Sequence, residues 1–400
     1  MSGPVRPAFR GAVSATAHPD GCAEHVRSWI RRSERREPAG RPPRVLVVGA
    51  SGGLGLAARI AASFGAGARS VGVCLERPGT ADRPGSAGWY RVVAFEQEAE
   101  RAAVPSVTVV GDAFADETKR RTCEAAARLL GQVDLLVYAL ATGRRRDSRT
   151  GVVRRSVLKT IGAPFRDKSF DLLTRRVAIS TVDPATPQEI DDTVAVMGGE
   201  DWAGWIEALG EHDLIADGMR TVALSYEGPR RLHPTYRDGT MGRAKRDLEA
   251  TAGRLGPLLR ARHGGTARIA VMRALVTQSS VVIPMSALYT VLLLRVAAER
   301  GAGEDTLDQG ERLMRSMGVP DGCASDARNR LRLDDLEMHP DLQAELWRRW
   351  DLADTANLAD IGDIATFDRE LRAVYGFGLP EVDYAAPVDL VRQAANVVMA

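Results

Sequence analysis

The stretch VLVVGASGGLGLAARIAA, residues 45–62, constrains this chain more than any other. A run of large apolar residues, Val45 to Val48, ends on a cluster of glycines, and an apolar helical pattern begins at once behind them. A buried strand that turns into a helix on glycines brings backbone N–H groups close to a pyrophosphate, whose charge is favoured at the helix N-terminus. Gly49, Gly53 and Gly55 set the spacing G-x-x-x-G-x-G. We therefore expect a dinucleotide phosphate loop made of Gly49, Ala50, Ser51, Gly52, Gly53, Leu54 and Gly55. Glycines alone also mark ordinary left-handed turns, so the flanking strand and helix carry the reading.

The same alternation continues downstream. Apolar runs at 70–76, 106–112, 133–141, 221–228 and 268–278 are separated by amphipathic helical stretches such as DETKRRTCEAAARLLG. This predicts an α/β fold with a doubly wound, Rossmann-like parallel sheet covered by helices on both faces. One continuous pattern over 400 residues points to a single enlarged domain spanning 1–400. Residues 143–217 are polar and arginine-rich, as expected of an insertion over the C-terminal ends of the strands. Residues 290–400 read as a mainly helical part packed on the core, and the Pro/Arg/Gly-rich stretch at 32–43 as a surface connector.

In such a fold, ligands sit at the carboxyl ends of the strands. The second strand ends on Leu75 and Glu76, where an acidic residue accepts hydrogen bonds from an adenosine ribose. A carboxylate there repels a 2′-phosphate, so we expect NADH rather than NADPH; Arg77, a possible partner for that phosphate, is the contrary signal. The GDAF turn offers Asp112 and Ala113 near the adenine, and YALA offers Leu140 and Ala141 as apolar walls.

PTYRDGTMGRAKRD, residues 234–247, holds Tyr236 and Lys245 in a chain with four lysines and fifty arginines. Nine steps along one unbroken helix would set them about 13 Å apart on opposite faces. Pro234 and Gly239 instead make PTYRDG a loop, with Thr240 as the expected cap of the helix behind it. Tyr236 can then fold back toward Lys245. There the ammonium is expected to lower the phenol's pKa and bond the nicotinamide ribose while the phenol donates a proton. Lysine, a compact point donor, suits that double task better than the planar arginine fork. Tyr226, just past the 221–228 run, is a second phenol at a strand end.

Composition removes other classes. Apolar content of 44%, charged content of 26% and a net charge of +2 leave no basic block to track phosphates, so no nucleic-acid partner is expected. The N-terminus lacks a signal-peptide core, and no apolar run reaches the roughly 20 residues of a membrane span; a cytoplasmic protein is expected. Cys22, Cys74, Cys123 and Cys323 are widely spaced and the six His form no HExxH pair, so we expect reduced thiols and no metal site.

Long collinear blocks add a resemblance. TAHPDGC, SAGWY, GQVDLLVYALA, RSVLKTIG, VDPATPQEIDDTVAVMGGEDW, LVTQSS, NRLRLDDLE and YGFGLPEVDY, with the glycine loop and the Tyr-x8-Lys pair, make the chain similar over nearly its whole length to the trans-2-enoyl-CoA reductases and long-form enoyl-acyl carrier protein reductases, enlarged relatives of the short-chain dehydrogenases. The resemblance implies NADH-dependent reduction of the double bond of a 2-enoyl thioester, carried by coenzyme A or acyl carrier protein, and commonly a monomer. It implies hydride addition at Cβ, a proton from Tyr236, a hydrogen bond from Tyr226 to the thioester oxygen, and a cofactor-holding Lys245. Leu275, Val276 and Thr277 would lie against the nicotinamide. The chain departs from the pattern near Tyr236, where Glu227, Arg230, Arg231, His233 and Arg237 replace an apolar stretch, and Ala139 stands where a serine is expected. Two other readings keep the scaffold: a specialised reductase of another activated alkene or carbonyl, and a non-catalytic NADH-binding protein.

Overall fold

The computed structural model describes residues 3–11, 13–33, 42–147, 150–318 and 325–400. Most of the expected connector at 32–43, and Cys323, lie outside these residues. Eight parallel strands form one sheet: β1 (Arg44–Val48), β2 (Arg69–Cys74), β3 (Ser106–Val110), β4 (Val133–Tyr138), β5 (Ile215–Ser225), β6 (Thr266–Val271), β7 (Leu331–Arg332) and β8 (Val397–Met399). Their spatial order, β8-β3-β2-β1-β4-β5-β6-β7, is the doubly wound 3-2-1-4-5-6 arrangement with one strand added at each edge. Register runs straight across the centre, Val47 opposite both Gly72 and Val137. Being covered on both faces, β1 to β4 are near-continuous buried runs rather than alternating ones.

The helices named here are α1 (Pro19–Ser33), α2 (Gly53–Ile60), α3 (Ala87–Arg101), α4 (Asp116–Leu129), α5 (Pro187–Met197), α6 (Glu200–Glu211), α7 (Thr240–His263), α8 (Ser286–Glu299), α9 (Thr306–Gly318) and α10 (Pro340–Leu352). On α2 the wholly buried Arg59 bonds Glu96 of α3 at 2.7 Å, Thr108 of β3 at 2.6 Å and Ser70 of β2 at 3.1 Å. A buried ion pair is tolerable only with its remaining donors and acceptors satisfied, as here.

Two expected boundaries change. The insertion drawn at 143–217 runs too far: α6 is a sheet-covering crossover helix, with Trp202 and Trp205 fully buried in the cluster that includes Leu136 and Ile269. The true excursion is two antiparallel hairpins, Arg144–Arg146 with Val153–Arg155 and Phe165–Asp171 with Arg176–Val182, followed by α5. The 165–182 hairpin docks on the end of α10, where Lys168 Nζ donates to the carbonyls of Trp350, Asp351 and Ala353. The part at 290–400 is mainly helical, but it also supplies both edge strands, β7 and β8.

Candidate active site

The glycine loop is built by close approach. An ideal Cβ on Gly55 would stand 2.1 Å from Gly49 O, and one on Gly49, at φ +92°, would stand 2.7 Å from Ala139 O. Side chains are therefore excluded where the loop passes the end of β4. Gly49 and Ala50 both donate N–H to Val73 O at 2.9 Å, which pins the loop to β2. Gly52 is the extended N-cap of α2, so the first N–H groups of that helix face outward without intrahelical acceptors. Ser51, Gly53 and Leu54 are partly exposed around them.

One cation beneath this loop was not read from the sequence. Arg91, on α3 and 5% exposed, donates Nε–H to Ser51 O at 2.8 Å and Nη1–H to Val374 O at 2.5 Å. Its Nη2 would be 2.6 Å from a Cβ on Gly52. Among the described residues it has no ion-pair partner, so its charge is available to the loop. SAGWY, just before it, was the sequence signal for this region.

The other expected cofactor contacts ring the same edge of the sheet. Leu75, at the end of β2, is 63% exposed, unusual for so large an apolar group. Glu76 accepts a hydrogen bond from Ser86, the N-cap of α3, and packs over Gly88, where a Cβ would meet its Oε1 at 1.9 Å. Asp112 Oδ1 accepts from Phe114 N at 3.1 Å, closing the turn that buries Ala113. Leu140 is half-buried and Ala141 exposed beyond β4. Leu275 and Val276 are buried, while Thr277 faces the glycine loop, 3.7 Å from the position of a Cβ on Gly53.

The segment 228–239 does fold back on the first turn of α7: a Cβ on Gly242 would meet Tyr236 O at 2.6 Å. Thr240 is not its cap. Gly239 takes that place, and the Thr240 hydroxyl donates to Val157 O at 2.5 Å. Lys245 Nζ donates to Leu224 O at 3.2 Å, at the end of β5 and two residues before Tyr226. The Tyr226 and Tyr236 rings meet edge to face with centroids 5.1 Å apart.

The expected tuning of phenol by ammonium is overturned. No hydrogen bond joins Tyr236 to Lys245. Burial, then the nearby Glu337 carboxylate, hold the Tyr236 phenol above its ordinary range, and burial lowers Lys245 to about 8. Desolvation disfavours both charged forms and outweighs an attraction that has no contact to act through. Tyr226 is likewise raised by burial and then by Glu337, whose Oε1 its hydroxyl reaches at 3.2 Å. Both phenols are thus neutral donors at physiological pH.

The arginines that depart from the expected pattern are largely engaged within the protein. Arg231 pairs with Asp167 at 2.8 Å and Asp351 at 2.6 Å, and its guanidinium stacks near Trp347 and Trp350. Glu227 is held by Arg330 at 3.0 Å. His233 approaches Gly228 O at 3.2 Å.

A phosphate loop at the first crossover of a doubly wound sheet, with buried phenols and a lysine at its carboxyl edge, is the architecture of the nicotinamide-dependent oxidoreductases. Residues 83–317 match the family described as the trans-2-enoyl-CoA reductase catalytic region, and residues 4–81 match the NAD(P)H binding domain of trans-2-enoyl-CoA reductase. The chain is 42% identical over 401 residues to the enoyl-[acyl-carrier-protein] reductase [NADH] of Coxiella burnetii, covering 98% of each, and 45% identical to that of Burkholderia pseudomallei, covering 96% of this chain and 97% of the other. It superimposes on the crystal structure of Clostridium acetobutulicum trans-2-enoyl-CoA reductase in complex with NADH with a TM-score of 0.93 at 36% identity, over 97% of this chain and 98% of that one. The chain belongs to the trans-2-enoyl-CoA reductase family.

Residues 325–388 match a model described as the enoyl reductase FAD binding domain, and the residues there do not fit a flavin. Leu342, Leu346, Trp350, Phe367 and Leu371 are buried in the core around α8. Of the glycines, Gly362 is packed on Val291 and Gly376 on Cys22, where a Cβ would lie 2.6 and 2.4 Å from protein atoms. The segment fills a core, and no flavin step is assigned to it.

Proposed function

We propose that this chain reduces the 2,3 double bond of a trans-2-enoyl thioester with NADH, the acyl group being carried by coenzyme A or acyl carrier protein. NADH, when bound, supplies the hydride that forms the new C–H bond at Cβ. The displaced π pair moves onto the thioester oxygen, where the Tyr226 hydroxyl donates a hydrogen bond to the developing charge. As the enolate collapses, Tyr236 gives its proton to Cα and is reprotonated from water. The loop from Gly49 to Gly55 and the Arg91 cation would hold the pyrophosphate, Glu76 the adenosine ribose and Lys245 the nicotinamide ribose, with Thr277, which faces Gly53, on the nicotinamide side.

The observation that carries this reading is the pair of neutral phenols, 5.1 Å apart, beside Lys245 at the end of β5. Oxidation of NADH by crotonyl-CoA and by enoyl-acyl carrier protein tests it directly. Turnover of either supports the reading; turnover of a ketone but of neither enoyl thioester contradicts it. No helix among the described residues is long and apolar enough to cross a membrane. The reading takes the protein as cytoplasmic and monomeric, and light scattering of the purified chain at one subunit mass tests the latter.

A further inference from the structure

Glu337 is fully buried and lies between three elements that surround the phenols. Its Oε2 accepts the backbone N–H of Ala274 at 2.6 Å, one residue before the Leu275–Thr277 segment. Its Oε1 faces two hydroxyls, Tyr289 of α8 at 2.7 Å and Tyr226 at 3.2 Å. Gln343 of α10 donates to Tyr289 Oη at 2.9 Å and to Glu337 O at 2.8 Å. The neighbouring charges bond other groups: Arg273 points Nη1 to Ala302 O and Glu304, leaving its buried Nε without a partner among the described residues, and Asp334 pairs with Arg332. Among the described residues no cation bonds the Glu337 carboxyl.

A carbonyl oxygen accepts an N–H better than a carboxylic hydroxyl does, so the short Ala274 bond keeps Oε2 as the carbonyl oxygen and places a proton on Oε1. The two states of the carboxyl therefore give Tyr226 different tasks. An ionised Oε1 draws the Tyr226 proton toward itself and away from the substrate. Because Tyr289 Oη already accepts from Gln343 and donates to Oε1, a protonated Oε1 donates to the Tyr226 oxygen and leaves that phenol's own proton free to point at a thioester oxygen.

We propose that Glu337 is a positioning residue that acts through Tyr226, its protonated form aiming the Tyr226 hydroxyl at the substrate while its second oxygen fixes the start of the nicotinamide-facing segment. This rests on the role given to Tyr226 above. Burial, ahead of the opposing Ala274 N–H, Arg273 and Tyr289 interactions and helped by Asp334, raises the carboxyl's pKa above the ordinary carboxylate range. Ionisation of this carboxyl then lowers turnover as pH rises.

The test is kcat against pH with crotonyl-CoA at saturating NADH, for Glu337→Gln and Glu337→Leu, each alone and combined with Tyr226→Phe, with NADH affinity as the folding control. Glutamine can accept from Ala274 with its oxygen and donate to Tyr226 with its amide, so Glu337→Gln is expected to stay within about threefold of the parent near neutrality and to lose the alkaline decline due to residue 337. Glu337→Leu is expected to lower kcat about tenfold or more with NADH affinity within about twofold, and in the Tyr226→Phe background to lower it by no more than about threefold, only the Ala274 contact being left to lose. A glutamine variant that is as impaired as the leucine one, or that keeps the parent's alkaline limb, overturns the proposal even if the leucine variant does not fold. Equal losses from Glu337→Leu with and without Tyr226 also overturn it. Unchanged kcat in Tyr226→Phe alone would instead overturn the role of Tyr226.

Discussion

Tyr226 and Tyr236 meet edge to face with ring centroids 5.1 Å apart, and only Tyr226 is tethered, through its hydroxyl to Glu337. The Tyr236 hydroxyl makes no hydrogen bond to any described residue, so its proton is uncommitted. This asymmetry separates the two roles: one phenol is oriented to stabilise charge, the other is free to lose its proton.

Cofactor choice should depend on Glu76. Its carboxylate sits at the end of β2, fixed by Ser86, where a 2′-phosphate would meet like charge. Glu76→Ala is expected to raise kcat/KM for NADPH and lower it for NADH, narrowing the ratio by about tenfold or more. A ratio left unchanged in steady-state assays with both cofactors would show that the carboxylate does not read the ribose.

Removing the cation under the glycine loop should weaken cofactor binding. Arg91→Met is expected to raise the Kd for NADH by about tenfold, since a charge facing a phosphate is lost and Ser51 O loses its donor. Protein fluorescence titration measures this. Free loop carbonyls also predict a lower melting temperature.

Lys245 gives a pH signature. Its ordinary value is 10.5 and its folded value about 8, so between these limits the unfolded chain holds a proton that the folded chain has lost. Stability of the cofactor-free protein is therefore expected to rise with pH from about 8 toward 10, and Lys245→Met is expected to abolish that rise. NADH affinity should move the opposite way, falling above pH about 8 as the ribose loses its ammonium partner. Urea unfolding and NADH titration at a series of pH values check both.

The centre of the fold was legible because buried parallel strands need long apolar runs and a phosphate loop needs glycines at fixed places. Its edges were not: β7 has two residues and β8 three, too short for any periodicity. The crossover helix α6 was hidden in a polar neighbourhood, although its two buried tryptophans are in GEDWAGW. Sparse lysines proved informative throughout, since each serves as a compact donor: Lys119 to Asp201 and Ala113 O, Lys159 to Glu189, Lys168 to three carbonyls, Lys245 to Leu224 O. The relation of Tyr236 to its surroundings could not be read, because a phenol's ionisation depends on burial and on a residue 101 positions away, Glu337. Nothing in NRLRLDDLE distinguishes that one carboxyl, the last of three, from its solvated or ion-paired neighbours.

The most direct measurement compares the parent with Tyr236→Phe, following NADH absorbance with a trans-2-enoyl thioester and NADH binding in parallel. A phenylalanine keeps the ring packing against Tyr226 and removes only the proton donor. The expected result is a loss of kcat of about 10² or more with NADH affinity unchanged. Turnover by Tyr236→Phe at the parent rate would contradict the account.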